Sequence, residues 1–148
     1  MLTEQRTIAH DAFAVRDTRE LNPLQMAYIG DTVHDLYVRS LLVSRGMTVG
    51  KMHKQAVRMV SAFAQARMLE AIEPDLTEEE ADVARRGRNS QAKHAAPKHA
   101  DPADYAHATG LEALWGWLYL SGRTQRLDEL VKLALSRTEE LWQKQNSK

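Results

Sequence analysis

The sequence predicts an all-α fold, five or six helices packed as one domain, and three observations carry that expectation. Apolar residues recur at spacings of three, four and seven along most of the 148 residues, the period of one helix face. No useful stretch alternates apolar and polar residues, as a half-buried strand would. Helix-boundary residues stand where the periodic segments begin and end, and the chain has only 7 Gly and 4 Pro to interrupt them.

Residues 1–20 are weakly patterned and read as an N-terminal extension with one short helix; the domain proper is expected over 21–148. In "NPLQMAYIGDTVHDLYVRSLLVSRG", Asn22 is a good N-cap, Pro23 suits the first helical position, and Gly46 marks the stop. Leu24, Ala27, Tyr28, Asp31, Val38, Leu41 and Leu42 recur there at helical spacing. A second pattern runs from about Val49 to Glu73, with Met52, Ala56, Val57, Val60, Ala64 and Met68 on one stripe, and Pro74 closes it. In the third, Thr77 is the N-cap and Glu80 its capping-box partner, with an acidic first turn and a basic end that suit the helix dipole. Gly87 interrupts that basic end, and "AKHAAPKHADPAD" reads as a loop. A helix from about Ala103 to Leu120 and a last one from about Thr124 to Gln145 follow, separated by "SGR".

The absence of cysteine excludes disulfides, thiolate metal sites and a thiol nucleophile, and fits a reducing compartment. No signal peptide and no apolar run of about 18 residues is present, so a soluble cytoplasmic protein is expected. The net charge is zero, but it is segregated: six acids and no base lie between Glu73 and Asp82, and five Lys/Arg and two His with no acid between Arg85 and His99. A basic segment on a neutral protein implies one defined polyanion contact.

Two acids fall where apolar residues belong. Asp31 shares the stripe of Leu24, Ala27, Tyr28 and Val38; Glu112, in "LEALWGWLYL", shares that of Ala108, Trp115, Gly116 and Tyr119. Gly30 precedes Asp31, and Gly116 lies one turn after Glu112. Glycine inside a helix costs about 0.5–1 kcal/mol relative to alanine, so this pair suggests a close helix contact that brings the two acids together. Facing carboxylates share a proton, pair with a buried base, or bind a hard cation such as Mg²⁺, an arrangement suited to phosphodiester hydrolysis. A buried salt bridge, or a carboxylate turned toward water, is the plainer alternative. An ion pair with Arg39 accounts for Asp35, and His34 reads as a surface or packing residue.

"NPLQMAYIGDTV", followed some eighty residues later by "ATGLEALWGWLYL", resembles the ribonuclease III catalytic domain. The compact Mini-ribonuclease III branch, which lacks an appended double-stranded-RNA-binding domain, is the nearer likeness. "VSAFAQA" and "RRGRNS" fit it, and the likeness spans about residues 20–136. The resemblance implies an all-helical, homodimeric endonuclease that uses Mg²⁺ to cut double-stranded RNA, typically precursor 23S ribosomal RNA, leaving 5′-phosphate ends. It makes Asp31 and Glu112 the catalytic and metal-binding residues. Where the full-length family carries further carboxylates one turn before each, this chain has Ala27 and Thr109. Asp101 or Asp104 could supply a replacement ligand.

In that reading Arg85, Arg86, Arg88, Lys93 and Lys98 follow the RNA phosphates, and Lys51, Lys54 and Arg58 form a second patch. Tyr28 and Ile29 pack across the two-fold axis, and a ribosomal protein is an accessory that could present the RNA. Two rivals remain: a non-catalytic ribonuclease III-like RNA-binding module in ribosome assembly, and an all-α Mg²⁺-dependent nucleotide hydrolase.

Overall fold

The computed structural model describes residue 13 and residues 17–143. Among them are seven α-helices and no strand: α1 (Pro23–Ser44), α2 (Val49–Val60), α3 (Ala62–Ile72), α4 (Glu78–Ala92), α5 (Pro102–Leu120), α6 (Thr124–Arg137) and α7 (Glu139–Gln143). The helix expected within residues 1–20 falls mostly outside the described residues; Thr18–Glu20 form a single 3₁₀ turn.

The predicted boundaries of α1 hold because they are local. The Asn22 side chain accepts from the Gln25 amide at 2.9 Å, and the Gln25 side chain accepts from the Asn22 amide at 3.0 Å. Gly46 ends the segment at φ 68°, a left-handed conformation that glycine adopts at little cost. Thr77 and Glu80 make the expected capping box on α4.

Three expectations are corrected. The single helix over Val49–Glu73 is two, α2 and α3, broken at Ser61, whose backbone is extended (φ −64°, ψ 156°). The Ser61 hydroxyl accepts from the Ala64 amide at 3.1 Å and donates to the Arg58 carbonyl at 3.0 Å, so one side chain serves both helix ends. The break frees each half to bury its own face. Val57, placed on a common stripe by spacing, is therefore exposed. The last helix likewise divides at Thr138, whose hydroxyl bonds back to the Ala134 carbonyl at 2.8 Å; its predicted final residues lie outside the described ones. Gly87 does not interrupt α4, which continues to Ala92.

Helix α5 is the centre of the molecule. Twelve of its 19 residues are buried, as expected of a helix that is apolar nearly all round. Helices α1, α3 and α4 pack on it. Gly30 of α1 meets the Glu112 backbone, and Gly116 of α5 meets the Met26 carbonyl, so close that a methyl group at either glycine would overlap the facing carbonyl. The pairing of 30 with 112 and of 26 with 116 makes the two helices antiparallel. On the other side of α5, a methyl group on Gly87 would lie 2.7 Å from Ala113 Cβ, and one on Gly110 would lie 2.7 Å from the Ala84 carbonyl. These contacts advance in the same direction along α4 and α5, so residues 93–101 must carry the chain back along the pair.

Candidate active site

The glycine contact between α1 and α5 sets the site. Because Gly30 rests on the Glu112 backbone, Asp31 is delivered beside the Glu112 side chain, and the two carboxyl groups are hydrogen-bonded to each other. Asp31 is exposed and Glu112 half-buried, so the pair opens to solvent on the α1 side. Burial, and then the adjoining Asp31 carboxylate, push the Glu112 carboxyl up to about 8. Two like charges in contact cannot both be held cheaply, so near neutral pH the metal-free pair retains a proton. A hard divalent cation would take its place. Two touching carboxylates with solvent on one side are the donor set that Mg²⁺ accepts, with water or phosphate completing the shell.

A buried polar bridge fixes the helices beneath the pair. His34, at 1% exposure, places Nε2 3.0 Å from the Met59 carbonyl, while Trp115 Nε1 donates to its Nδ1 at 3.1 Å. A donor at Nδ1 leaves the ring proton on Nε2, which donates to Met59. Burial holds the His34 pKa below the usual imidazole value, outweighing the Met59 hydrogen bond and the charges of Asp31 and Asp35. The ring is neutral and serves packing, linking α1, α2 and α5.

The structure places the remaining candidates elsewhere. Asp35 pairs with Arg39 at 3.0 Å. Asp101 caps α5, accepting from the Ala103 amide at 2.8 Å and the Asp104 amide at 3.3 Å. Asp104 pairs with Arg67 of α3 at 2.8 Å. Neither Asp101 nor Asp104 joins the pair: among the described residues no group of three or more His, Cys, Asp or Glu is placed to hold a metal ion. Ala27 and Thr109 are buried, and the Thr109 hydroxyl is turned to the Tyr105 carbonyl at 3.0 Å.

Arg85, Arg86 and Arg88 stand on α4, with Arg85 paired to Asp82. Lys93 caps the end of that helix, and Lys98 is exposed in the loop that follows. Lys51 and Lys54 are exposed on α2, where Arg58 is half-buried. Two further placements are corrected. Tyr28 does not join the core stripe but is 85% exposed, and Ile29 packs inside the chain against Gly116 rather than outward.

Sequence reasoning missed Gln65, which is buried on α3 and donates from its side-chain amide to the Val60 carbonyl at 3.0 Å. Its signal was faint: an amide between Ala64 and Ala66 on an otherwise apolar helix.

Comparison with known proteins places this geometry. The Ribonuclease III domain family matches residues 24–123. Mini-ribonuclease 3 of Symbiobacterium thermophilum is 50% identical over 115 residues, 77% of this chain and 88% of the relative. Mini-ribonuclease 3 of Clostridium tetani is 39% identical over 132 residues, 88% and 87% of the two chains. A crystal structure of a protein from Fusobacterium nucleatum superposes with a TM-score of 0.73 at 24% identity, over 82% of this chain and 98% of the other; at that identity it speaks for the all-α fold. With half of its aligned residues shared with a Mini-ribonuclease 3, the chain belongs to the ribonuclease III family, in its Mini-ribonuclease III branch, and is an endoribonuclease.

Proposed function

We propose that this protein is a homodimeric, Mg²⁺-dependent endoribonuclease of the cytoplasm that cuts double-stranded RNA. Its substrate is the 23S ribosomal RNA precursor, whose ends it matures, with a ribosomal protein able to present the RNA. The observation that carries the reading is the meeting of Asp31 and Glu112 across the Gly30–Glu112 contact. Asp31 and Glu112 would hold the cation. When bound, Mg²⁺ supplies Lewis acidity toward a phosphate oxygen and lowers the pKa of an attacking water.

The chain's own residues do the rest. Asp31, open to solvent, is the carboxylate that an RNA phosphate can approach, while half-buried Glu112 is the fixed member of the pair. Arg85, Arg86, Arg88, Lys93 and Lys98, with Lys54 and Arg58, neutralise phosphates of an A-form duplex, whose narrow major groove leaves shape and backbone as the features to read. A dimer brings two such pairs to the two strands. Tyr28, Leu36 and Val43 form an exposed apolar stripe on α1, at 85%, 64% and 61% exposure, and a second copy of the chain covers it.

Incubation of the protein with duplex RNA and Mg²⁺ is the test. Cleavage leaving 5′-phosphate ends is expected, and Asp31→Asn or Glu112→Gln should reduce it to background while duplex binding and dimer mass stay intact. Binding without cleavage would establish the non-catalytic module, and hydrolysis of free nucleotides the rival hydrolase. An Asp31→Asn protein cutting at the native rate would remove the site assignment.

A further inference from the structure

A cavity opens between α3 and α4, floored by Leu69, Leu76 and Ala84 and rimmed by Glu73, Arg85 and Arg88. The floor is firm, since Leu69 and Ala84 belong to the core and Leu76 packs against it. Arg85 is paired with Asp82. Among the described residues, the Arg88 guanidinium and the Glu73 carboxylate have no hydrogen-bond or ion-pair partner. They line one cavity without pairing with each other. Arg88 is rooted by the fold, because its Cβ lies over Gly110 of α5, 3.4 Å from where a methyl group on that glycine would stand.

Arg88 suits a phosphate. Glu73 does not, since a carboxylate beside phosphate-binding guanidiniums repels a polyanion unless it accepts a hydrogen bond from it. Phosphate and ether oxygens of a nucleic-acid backbone only accept. The 2′-hydroxyl of RNA also donates, and the wide, shallow minor groove of an A-form duplex displays it. The cavity measures about 60 Å³, room for a few heavy atoms at roughly 10–15 Å³ for each water-sized group. That admits the edge of a pentose, whose C–H face suits an apolar floor, and is too small for a nucleobase.

We infer that this cavity is a ribose subsite: the edge of one RNA sugar enters between α3 and α4, its 2′-hydroxyl donates to the Glu73 carboxylate, and the adjoining phosphate meets Arg88. The inference rests on the duplex-RNA reading proposed above. It gives the acid at position 73 a task that a phosphate-binding surface otherwise lacks. It also makes this the place where the protein tells RNA from DNA, because a deoxyribose leaves the carboxylate facing a polyanion with no donor to accept from.

Duplex binding without metal, so that no strand is cut, tests this on two ligands: an RNA duplex and the same duplex with 2′-fluoro sugars, which keep the A-form pucker but carry no hydroxyl donor. The wild type is expected to bind the hydroxyl duplex more tightly. Glu73→Met, which has no oxygen to accept, should shrink that preference by about 3–10-fold while binding the 2′-fluoro duplex at least as well as the wild type. Glu73→Gln, which keeps an acceptor and loses the charge, should retain more of the preference than Glu73→Met does. Arg88→Met should weaken both duplexes by a similar factor. Equal behaviour of the two Glu73 variants would overturn the proposal. So would a preference that vanishes when inosine replaces guanine, which would make the guanine amine the donor. If the wild type binds RNA and Glu73→Met keeps the full preference, this inference fails alone. If the wild type binds neither duplex, the duplex-RNA reading fails and takes this one with it. Should the Glu73 variants not fold, the Leu76 methyl resonances of the wild type decide: they are expected to shift on adding the hydroxyl duplex, and unmoved resonances would overturn the proposal.

Discussion

Glu112 binds a proton more tightly in the fold than free glutamate does, because burial and the Asp31 carboxylate both oppose its ionisation. A carboxyl raised in this way contributes stability in its neutral form. That contribution is complete below the unfolded value of about 4.5 and is lost as pH rises through about 8. Metal-free wild type is thus expected to lose stability between those limits. Glu112→Gln, neutral at every pH, should match the wild type near pH 4.5 and exceed it by about 1–3 kcal/mol at pH 9. Guanidinium denaturation at the two pH values checks this, and Mg²⁺ should restore the wild type at pH 9 without affecting the variant. Asp31 and Glu112 were both visible as acids on apolar stripes. Gln65 was not, because one amide in an apolar helix has the same pattern whether it faces solvent or, as here, a buried backbone carbonyl.

Helices α1 and α5 meet through glycine, and that contact decides whether the acids meet. Gly30→Ala would drive a methyl group into the Glu112 carbonyl. It is expected to cost about 3 kcal/mol or more and to abolish cleavage by separating the helices. Gly50→Ala, on α2 with open space around the added methyl group, should instead stabilise by up to about 1 kcal/mol. Urea midpoints of the two variants, with opposite signs, test whether glycine is held for contact or merely tolerated. The element starts at Asn22 and Thr77 were legible because a cap is a property of neighbouring residues. The break at Ser61 was not, since a serine after Val60 is compatible with a continuing helix. What breaks it there is the gain from burying Met59 and Met68 on different faces.

At the scale of the molecule, the segregated charges divide into structural and exposed groups. Glu80, 3% exposed, is gripped by Arg126 of α6 at 2.8 and 2.9 Å, and the same guanidinium reaches the Asp75 carbonyl at 2.8 Å. The Arg126 guanidinium holds the Glu80 carboxyl below the ordinary glutamate range. Its contribution is therefore present above the ordinary pKa and lost on acidification, the opposite sense to Glu112. Arg126→Ala should cost about 2–4 kcal/mol at pH 7, by stranding a buried charge, and much less at pH 3, as read from thermal unfolding at both pH values. The basic side of α4 stays at the surface. Replacing Arg85, Arg86 and Arg88 together with alanine is expected to weaken duplex binding and to lower the slope of log affinity against log salt by about 2–3, with the cleavage rate of bound RNA preserved.

Taken alone, the sequence determined the helical class, the caps of α1 and α4, the buried character of α5, the ion pair of Asp35 with Arg39, and the presence of an acid on each of two apolar stripes. Each of these depends on residues within about a turn or two of one another, where periodicity and side-chain chemistry act directly. Only the tertiary structure decided that Asp31 meets Glu112, that Asp101 and Asp104 do not join them, that Tyr28 faces outward, and that the Gln65 amide is buried against the Val60 carbonyl. Those outcomes depend on which helix faces compete for the same buried volume and on how closely glycine lets two backbones approach. Spacing along a chain does not encode either quantity.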